Sequence, residues 1–378
     1  MISKFKPFRR GCMPKKVPVF AAIILAAGSS TRMGQCKPLL SINKQSLLSH
    51  LVTTYINAGV SHIIVVTGAY RELVERECRY LHCKIAYNKN HDTGGMFSSV
   101  ICGVQTLPSE VSAFFVHPCD IPLVRSSTIH SLLHHWDTSM PVLTPVFKGK
   151  KGHPPLLSKH LLPYILSWSG EDGLAGFLRR YTSTSLLSVP DQFILYDIDT
   201  PEDYRKALHA WNTHTIPTEE ECEELFAIAR TPEKVIRHCR VVQKVARHIA
   251  LSVSSFHPCH FLLVDKAALL HDICRTSPHH ANAGYFFLKN WGFDAVAELV
   301  KNHMDIPEDA TTETKILYLA DKIVKDFNIV SLQERIDDVL SKWKGGQASK
   351  QGLRRLHKAL DIQNEFEKLT DGNLDVGE

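Results

Sequence analysis

Directly after the apolar run at residues 21–26 the chain places Gly28, Ser29, Ser30, Arg32, Gly34 and Lys37. Small residues behind a buried strand bring backbone N–H groups close to an anion, and Arg32 and Lys37 add charge that spreads along a polyphosphate. That is the chemistry of a nucleoside triphosphate cradle, although the GxxxxGK[ST] and GxGxxG spacings are both absent. Asp120 follows a second apolar run, residues 113–116, and a carboxylate at that position is sited to hold Mg²⁺ against phosphate oxygens. In the C-terminal part, His238, His271-Asp272, His303 and Asp321 interrupt apolar helical faces. Several inward imidazoles and carboxylates are costly to bury unless paired or bound to metal.

The elements that must position these residues differ between the two halves. Residues 21–26 read as a strand buried on both faces, 46–58 as a helix ended by Gly59, and 62–67 as the next buried strand. Further strands are expected at 83–87, 113–116 and 142–145, giving a Rossmann-like α/β fold: a mainly parallel sheet with helices on both faces and ligands at the carboxyl ends of its strands. Thr200 and Pro201 read as the N-cap and first turn of a helix over 202–211. Residues 213–218 lack apolar periodicity and lead into the acidic run 219–224, so they read as a linker. Beyond it only helical spacing remains, and an all-α helical bundle is expected, frayed after Thr370. The domains are then a flexible basic tail at 1–18, an α/β domain at 19–212, the linker 213–218 and a helical domain at 219–378.

The run Leu-Ala-Ala-Gly-x-Ser-x-Arg-Met-Gly-x-x-Lys-x-Leu-Leu from Leu25 to Leu40 resembles the signature of the nucleotidyltransferases that include molybdenum-cofactor cytidylyltransferase and its guanylyl relative. The resemblance spans the first domain. It implies nucleotide contacts from Leu25, Ala26, Ala27, Gly28, Arg32 and Lys37, and base and ribose contacts from Asn88, Gly95 and Ser98. Arg32, Lys37 and Asp120 are then catalytic, and Asp120 and Asp199, within Asp197-Ile198-Asp199-Thr200-Pro201-Glu202-Asp203, hold Mg²⁺. Gly152-His153-Pro154 would shape the acceptor side. Ala27 leans towards CTP among the nucleoside triphosphates, and the implied acceptor is a phosphorylated small molecule such as molybdopterin. A sugar- or alditol-phosphate acceptor is the alternative on the same fold.

The later set resembles the HD-domain metal-dependent phosphohydrolases, named for the adjacent pair met here as His271-Asp272. That resemblance implies metal ligation by His238, His271, Asp272 and Asp321, with His280 and His303 as the extra histidines of members holding two metals. One or two divalent transition metals, iron or manganese, would then serve catalytic Asp272 on a phosphoester or nucleotide. A nucleotide-sensing regulatory role for this half is the other alternative.

The 378 residues, 44% hydrophobic and 22% charged, suit two globular domains. No apolar run approaches a membrane span of roughly 20 residues. Lys4, Lys6, Arg9, Arg10, Lys15 and Lys16 are not backed by the apolar core of a signal peptide, so a cytoplasmic protein is expected. Ten scattered cysteines without a CxxC pair read as reduced thiols. A net charge of +5 suits small anions, and no basic stripe interleaved with aromatics points to nucleic acid. This reading leaves homo-oligomerisation open.

Overall fold

The computed structural model describes residues 17–181, 183–342 and 346–377. The basic run from Lys4 to Lys16 lies outside the described residues.

An eight-stranded sheet is built from β1 (Phe20–Ala26), β2 (His62–Thr67), β3 (Lys84–Tyr87), β4 (Ala113–Pro118), β5 (Val142–Phe147), β6 (Lys150–Lys151), β7 (Leu156–Ser158) and β8 (Thr184–Ser188). Its order is β8-β5-β7-β4-β1-β2-β3, with β6 paired to β5. β1 runs parallel to both β2 and β4, and β7 is inserted antiparallel between β4 and β5. The chain thus leaves β1 first to one side and later to the other, which opens a crevice at its carboxyl end.

Side chains of β1 alternate between two cores, as the strand period requires. Ala22, Ile24 and Ala26 pack on one face with α1 (Leu47–Asn57), α2 (Arg71–Cys78) and α4 (Ser126–His135). Ala21, Ile23 and Leu25 pack on the other with α3 (Gly95–Gln105), α5 (Leu162–Ser167) and α6 (Gly173–Tyr181). Burial on both faces explains why this strand reads as an unbroken apolar run. α3 can approach it only because Gly103 lacks a side chain; a Cβ there would lie 2.3 Å from the Ile23 Cγ2.

α7 (Pro201–Asn212) starts with a capping box of Thr200 and Asp203. Beyond it come α8 (Glu219–Ala229), α9 (Glu233–Ser254), α10 (Phe261–Leu270), α11 (His280–Asn290), α12 (Asp294–Asn302), α13 (Thr312–Ile323), α14 (Leu332–Ser341) and α15 (Gln347–Leu369). Residues from 216 onwards share one apolar core, separate from those of the sheet. Two details depart from the sequence reading. A two-residue antiparallel ladder pairs Val324–Lys325 with Asn328–Ile329, so the region is not purely helical. The described residues after Thr370 are docked and not frayed: Asp375 accepts from the Nδ1 of His248 at 2.8 Å and donates its N–H to Ser252.

The nine cysteines among the described residues are free thiols. No described helix is long and apolar enough to cross a membrane.

Two histidines, one buried and one partly buried, make the fold sensitive to acid. The Nε2–H of His117 donates to the Ile121 carbonyl, its Nδ1 accepts from the Tyr55 hydroxyl, and burial beside His153 lowers its pKa to about 3. His214, whose Nε2–H donates to the Leu123 carbonyl, is lowered to about 4 by burial and by Arg125. Both titrate near 6.5 when unfolded, so their stability contribution is complete above that pH and is lost as pH falls through the window down to 4 and then 3. Each should cost about 2 kcal/mol of unfolding free energy by pH 5. Urea unfolding at pH 7.5 and 5.0 checks this; equal stabilities at the two values would contradict it.

Candidate functional site

The first site occupies the crevice at the carboxyl ends of β1 and β4. Residues 28–36 wrap around Ser30, whose carbonyl accepts the N–H groups of Met33 and Gly34 and whose hydroxyl accepts that of Lys37. The left-handed positions of this loop are Ser30 and Gly34, not Gly28. Gly28 has nothing within 4 Å of where a Cβ would sit, and it lines a cavity of about 320 Å³. Its role is therefore to leave room in the cradle and not to supply a left-handed turn.

Lys37, Asp120 and Asp199 meet at one edge of this cavity. The Lys37 Nζ is 2.7 Å from the Asp199 Oδ1 and 3.4 Å from the Asp120 Oδ2, while the Arg32 Nη1 is 2.8 Å from the Asp199 Oδ2. The hydrogen bond from Lys37 is the largest cause that holds the Asp199 carboxyl below its usual range. Two carboxylates from different loops converging on one cation form a hard oxygen donor set, which fits Mg²⁺ accompanied by substrate phosphates. Leu25, Ala26, Ala27, Arg32 and Gly95 also line the cavity.

Asn88 and Ser98 do not line it. The Asn88 amide is buried and donates to the hydroxyls of Ser98 and Ser99 at 2.7 and 3.0 Å, so this pair braces the start of α3. In their place His91, Met96 and Ser99 face the cavity. A polar loop leading into a helix pointed to this segment without indicating which of its residues would face inwards.

A larger cavity of about 970 Å³ adjoins the first and shares Leu25, Gly95, Met96 and Pro118 with it. Phe97, Val100, Val116, Leu174 and Leu178 give it an apolar floor, and Lys151, His153 and Arg179 stand at its wall. Gly152 permits this wall: its N–H donates to the Pro145 carbonyl, and a Cβ there would lie 2.6 Å from the Ile194 carbonyl oxygen.

The second site lies between α9, α10, α12 and α13. His238 and His303 donate Nδ1–H to the carbonyls of Asp326 and Val300, and His271 donates Nδ1–H to that of Ala268. A carbonyl only accepts, so these bonds fix the tautomer and turn each Nε2 lone pair inwards, as metal-binding imidazoles require. The Nε2 atoms of His238 and His271 lie 3.5 and 3.4 Å from the Asp321 Oδ1. Those of His280 and His303 lie 3.2 and 3.4 Å from the Asp272 Oδ1, while its Oδ2 is 3.7 Å from the His271 Nε2. Asp272 thus belongs to two ligand groups, one with His238 and His271 and one with His280 and His303.

The His271 Nε2 and the Asp272 Oδ1 are buried and make no hydrogen bond. Orphaned atoms of this kind, in a mixed imidazole and carboxylate set, fit divalent transition metals on either side of Asp272. Burial raises the Asp272 pKa, but His271, His280 and His303 outweigh it and hold the carboxyl well below its usual range. His279, by contrast, is exposed as the N-cap of α11. Arg275 reaches the site, with its Nη1 3.0 Å from the His280 Nε2. A cavity of about 540 Å³ opens above the cluster, with Phe327 and Lys325 in its wall.

Comparison with known proteins agrees with this division. The family model of the MobA-like NTP transferase domain matches residues 22–185, and that of the HD domain matches residues 235–326. The molybdenum cofactor cytidylyltransferase of Escherichia coli is 31% identical over 185 residues, which cover 48% of this chain and 92% of that protein. A probable molybdenum cofactor guanylyltransferase of Bacillus mycoides is 26% identical over 141 residues, 37% of this chain and 67% of that protein. The bifunctional protein GlmU of Corynebacterium aurimucosum is 32% identical over 118 residues, 30% of this chain but only 24% of that protein, so the chain spans about a quarter of it. Both families are families of enzymes. The chain belongs to the MobA-like NTP transferase family, and it carries an HD domain behind the transferase domain.

Proposed function

We propose that residues 19–212 transfer a nucleotidyl group, from CTP by preference, to the phosphate of a multi-ring acceptor such as molybdopterin. After the linker 213–218, residues 219–378 hydrolyse a phosphoester or nucleotide, and the whole is a cytoplasmic bifunctional enzyme. In the transfer an acceptor phosphate oxygen bonds to the α-phosphorus, the bond from that phosphorus to the bridging oxygen breaks, and pyrophosphate leaves. Lys37 and Arg32 neutralise the triphosphate, and the loop 28–36 aligns it for attack. Mg²⁺ held by Asp120 and Asp199 would offset further phosphate charge. In the second domain His238, His271, Asp272, His280, His303 and Asp321 would hold the metals that activate water, with Arg275 placed to meet the phosphate.

The observation that carries the transfer reading is the pair of adjoining cavities, a small polar one beside Lys37 and an apolar one of about 970 Å³. The larger lies at the top of the range of about 300–1,000 Å³ for sites that enclose drug-sized ligands. An alditol phosphate would leave most of its apolar floor uncovered. Pyrophosphate release is expected with CTP or GTP, Mg²⁺ and molybdopterin, and not with alditol phosphates. Release with alditol phosphates alone would favour the smaller acceptor, and silence across both panels would refute the transfer reading.

A further inference from the structure

Arg125, Asp191 and Glu221 form a buried charged cluster that neither reaction uses, with side chains 5%, 1% and 0% exposed. The Arg125 Nη1 donates to the Asp191 Oδ1 at 2.9 Å and to the Glu221 Oε1 at 2.7 Å, and its Nη2 donates to the Glu221 Oε2 at 3.1 Å. The Nε and Nη2 also donate to the His214 carbonyl. Asp191 accepts the Arg125 N–H and the Thr128 hydroxyl, and Glu221 accepts the Gln192 N–H. Phe193 and Phe293 flank the guanidinium at 5.1 and 4.9 Å. A buried cluster satisfied to this degree adds little stability over apolar packing, but it enforces one geometry.

That geometry bears on the first site. Arg125 ends the loop that begins at Asp120, and Asp191 begins the segment that ends at Asp199. The two segments are joined by the Ile198 N–H donating to the Asp120 carbonyl at 2.7 Å, and His214 holds the Leu123 carbonyl. The clamp is closed from the helical domain, which supplies Glu221 and Phe293 together with the Trp291 carbonyl that accepts the Ser127 hydroxyl at 2.8 Å.

We propose that Arg125 and Glu221 are positioning residues of the transferase, and that a carboxylate of the helical domain sets the separation of Asp120 and Asp199. The proposal rests on the reading of those two aspartates as the Mg²⁺ pair. Binding of CTP to the full chain, followed by calorimetry at a series of Mg²⁺ concentrations, isolates the effect as the part of binding that Asp120→Ala abolishes. In Glu221→Gln the Mg²⁺ requirement of that part is expected to rise about tenfold, the lower end of what loss of an outer-shell partner costs, because Glu221 acts on the two aspartates only through Arg125 and the segments it holds. Metal content at the His271-Asp272 cluster should stay as in the wild type. A folded Glu221→Gln chain that melts earlier but keeps the wild-type Mg²⁺ requirement overturns the proposal, leaving the cluster a mere interdomain contact. Should that variant not fold, Glu221→Asp, which keeps the charge and shortens the reach, decides on the same terms. A wild-type chain that binds neither CTP nor GTP with Mg²⁺ overturns the transfer reading and this proposal together, whereas wild-type binding with unchanged variants overturns this proposal alone.

Discussion

Asp272→Ala is expected to empty both candidate metal positions of the helical domain and, because Asp272 would be a direct ligand, to lower phosphate release by more than the roughly 100-fold that marks the upper end for an outer-shell partner. The reason lies in how the carboxylate is shared: the Oδ1 faces His280 and His303 while the Oδ2 faces His271. Among the described residues no other stands in both ligand groups. His303→Ala removes a ligand from one group only, so that variant should keep about half of the wild-type metal. Metal analysis of natively purified chains, with a melting curve to confirm folding, separates the two outcomes. Full metal content in Asp272→Ala would contradict the shared-ligand arrangement.

Lys37→Ala should lower the transferase kcat/KM by about 10²- to 10³-fold, the loss typical of one preorganised donor to a developing anion in a shielded site. Lys37 is largely enclosed, 13% exposed, and bridges both carboxylates, whereas Arg32 is 69% exposed. Solvent screens an exposed cation, so Arg32→Ala is expected to cost no more than about tenfold. Pyrophosphate release at varied nucleotide concentration measures both. Equal losses in the two variants would mean that enclosure of Lys37 does not govern its contribution.

The sequence announced most of what these variants touch, and the reasons are physical. β2 was legible to the residue because it is buried on both faces, and five of the six residues of the His and Asp cluster were legible because polar side chains interrupted apolar helical faces, while His280 entered only through the family resemblance. β7 was not legible: a three-residue antiparallel strand is too short to carry a period. Nor was β8, an edge strand whose residues are only half buried. Asn88 and Ser98 were read as ligand contacts and instead brace each other, since one dimension gives a polar loop but not its inward face. The buried cluster was invisible for another reason. Arg125 stands 66 residues from Asp191 and 96 from Glu221, and each alone looks like an ordinary surface charge.

The claim that this chain holds two separate centres for phosphate chemistry is tested most directly by native mass spectrometry of the full chain, with CTP and Mg²⁺ present. A species carrying two transition-metal ions and one Mg²⁺-bound nucleotide is expected, with the metals lost in Asp272→Ala and the nucleotide lost in Lys37→Ala, each without the other. A chain that acquires neither mass, or a single variant that removes both, would contradict it.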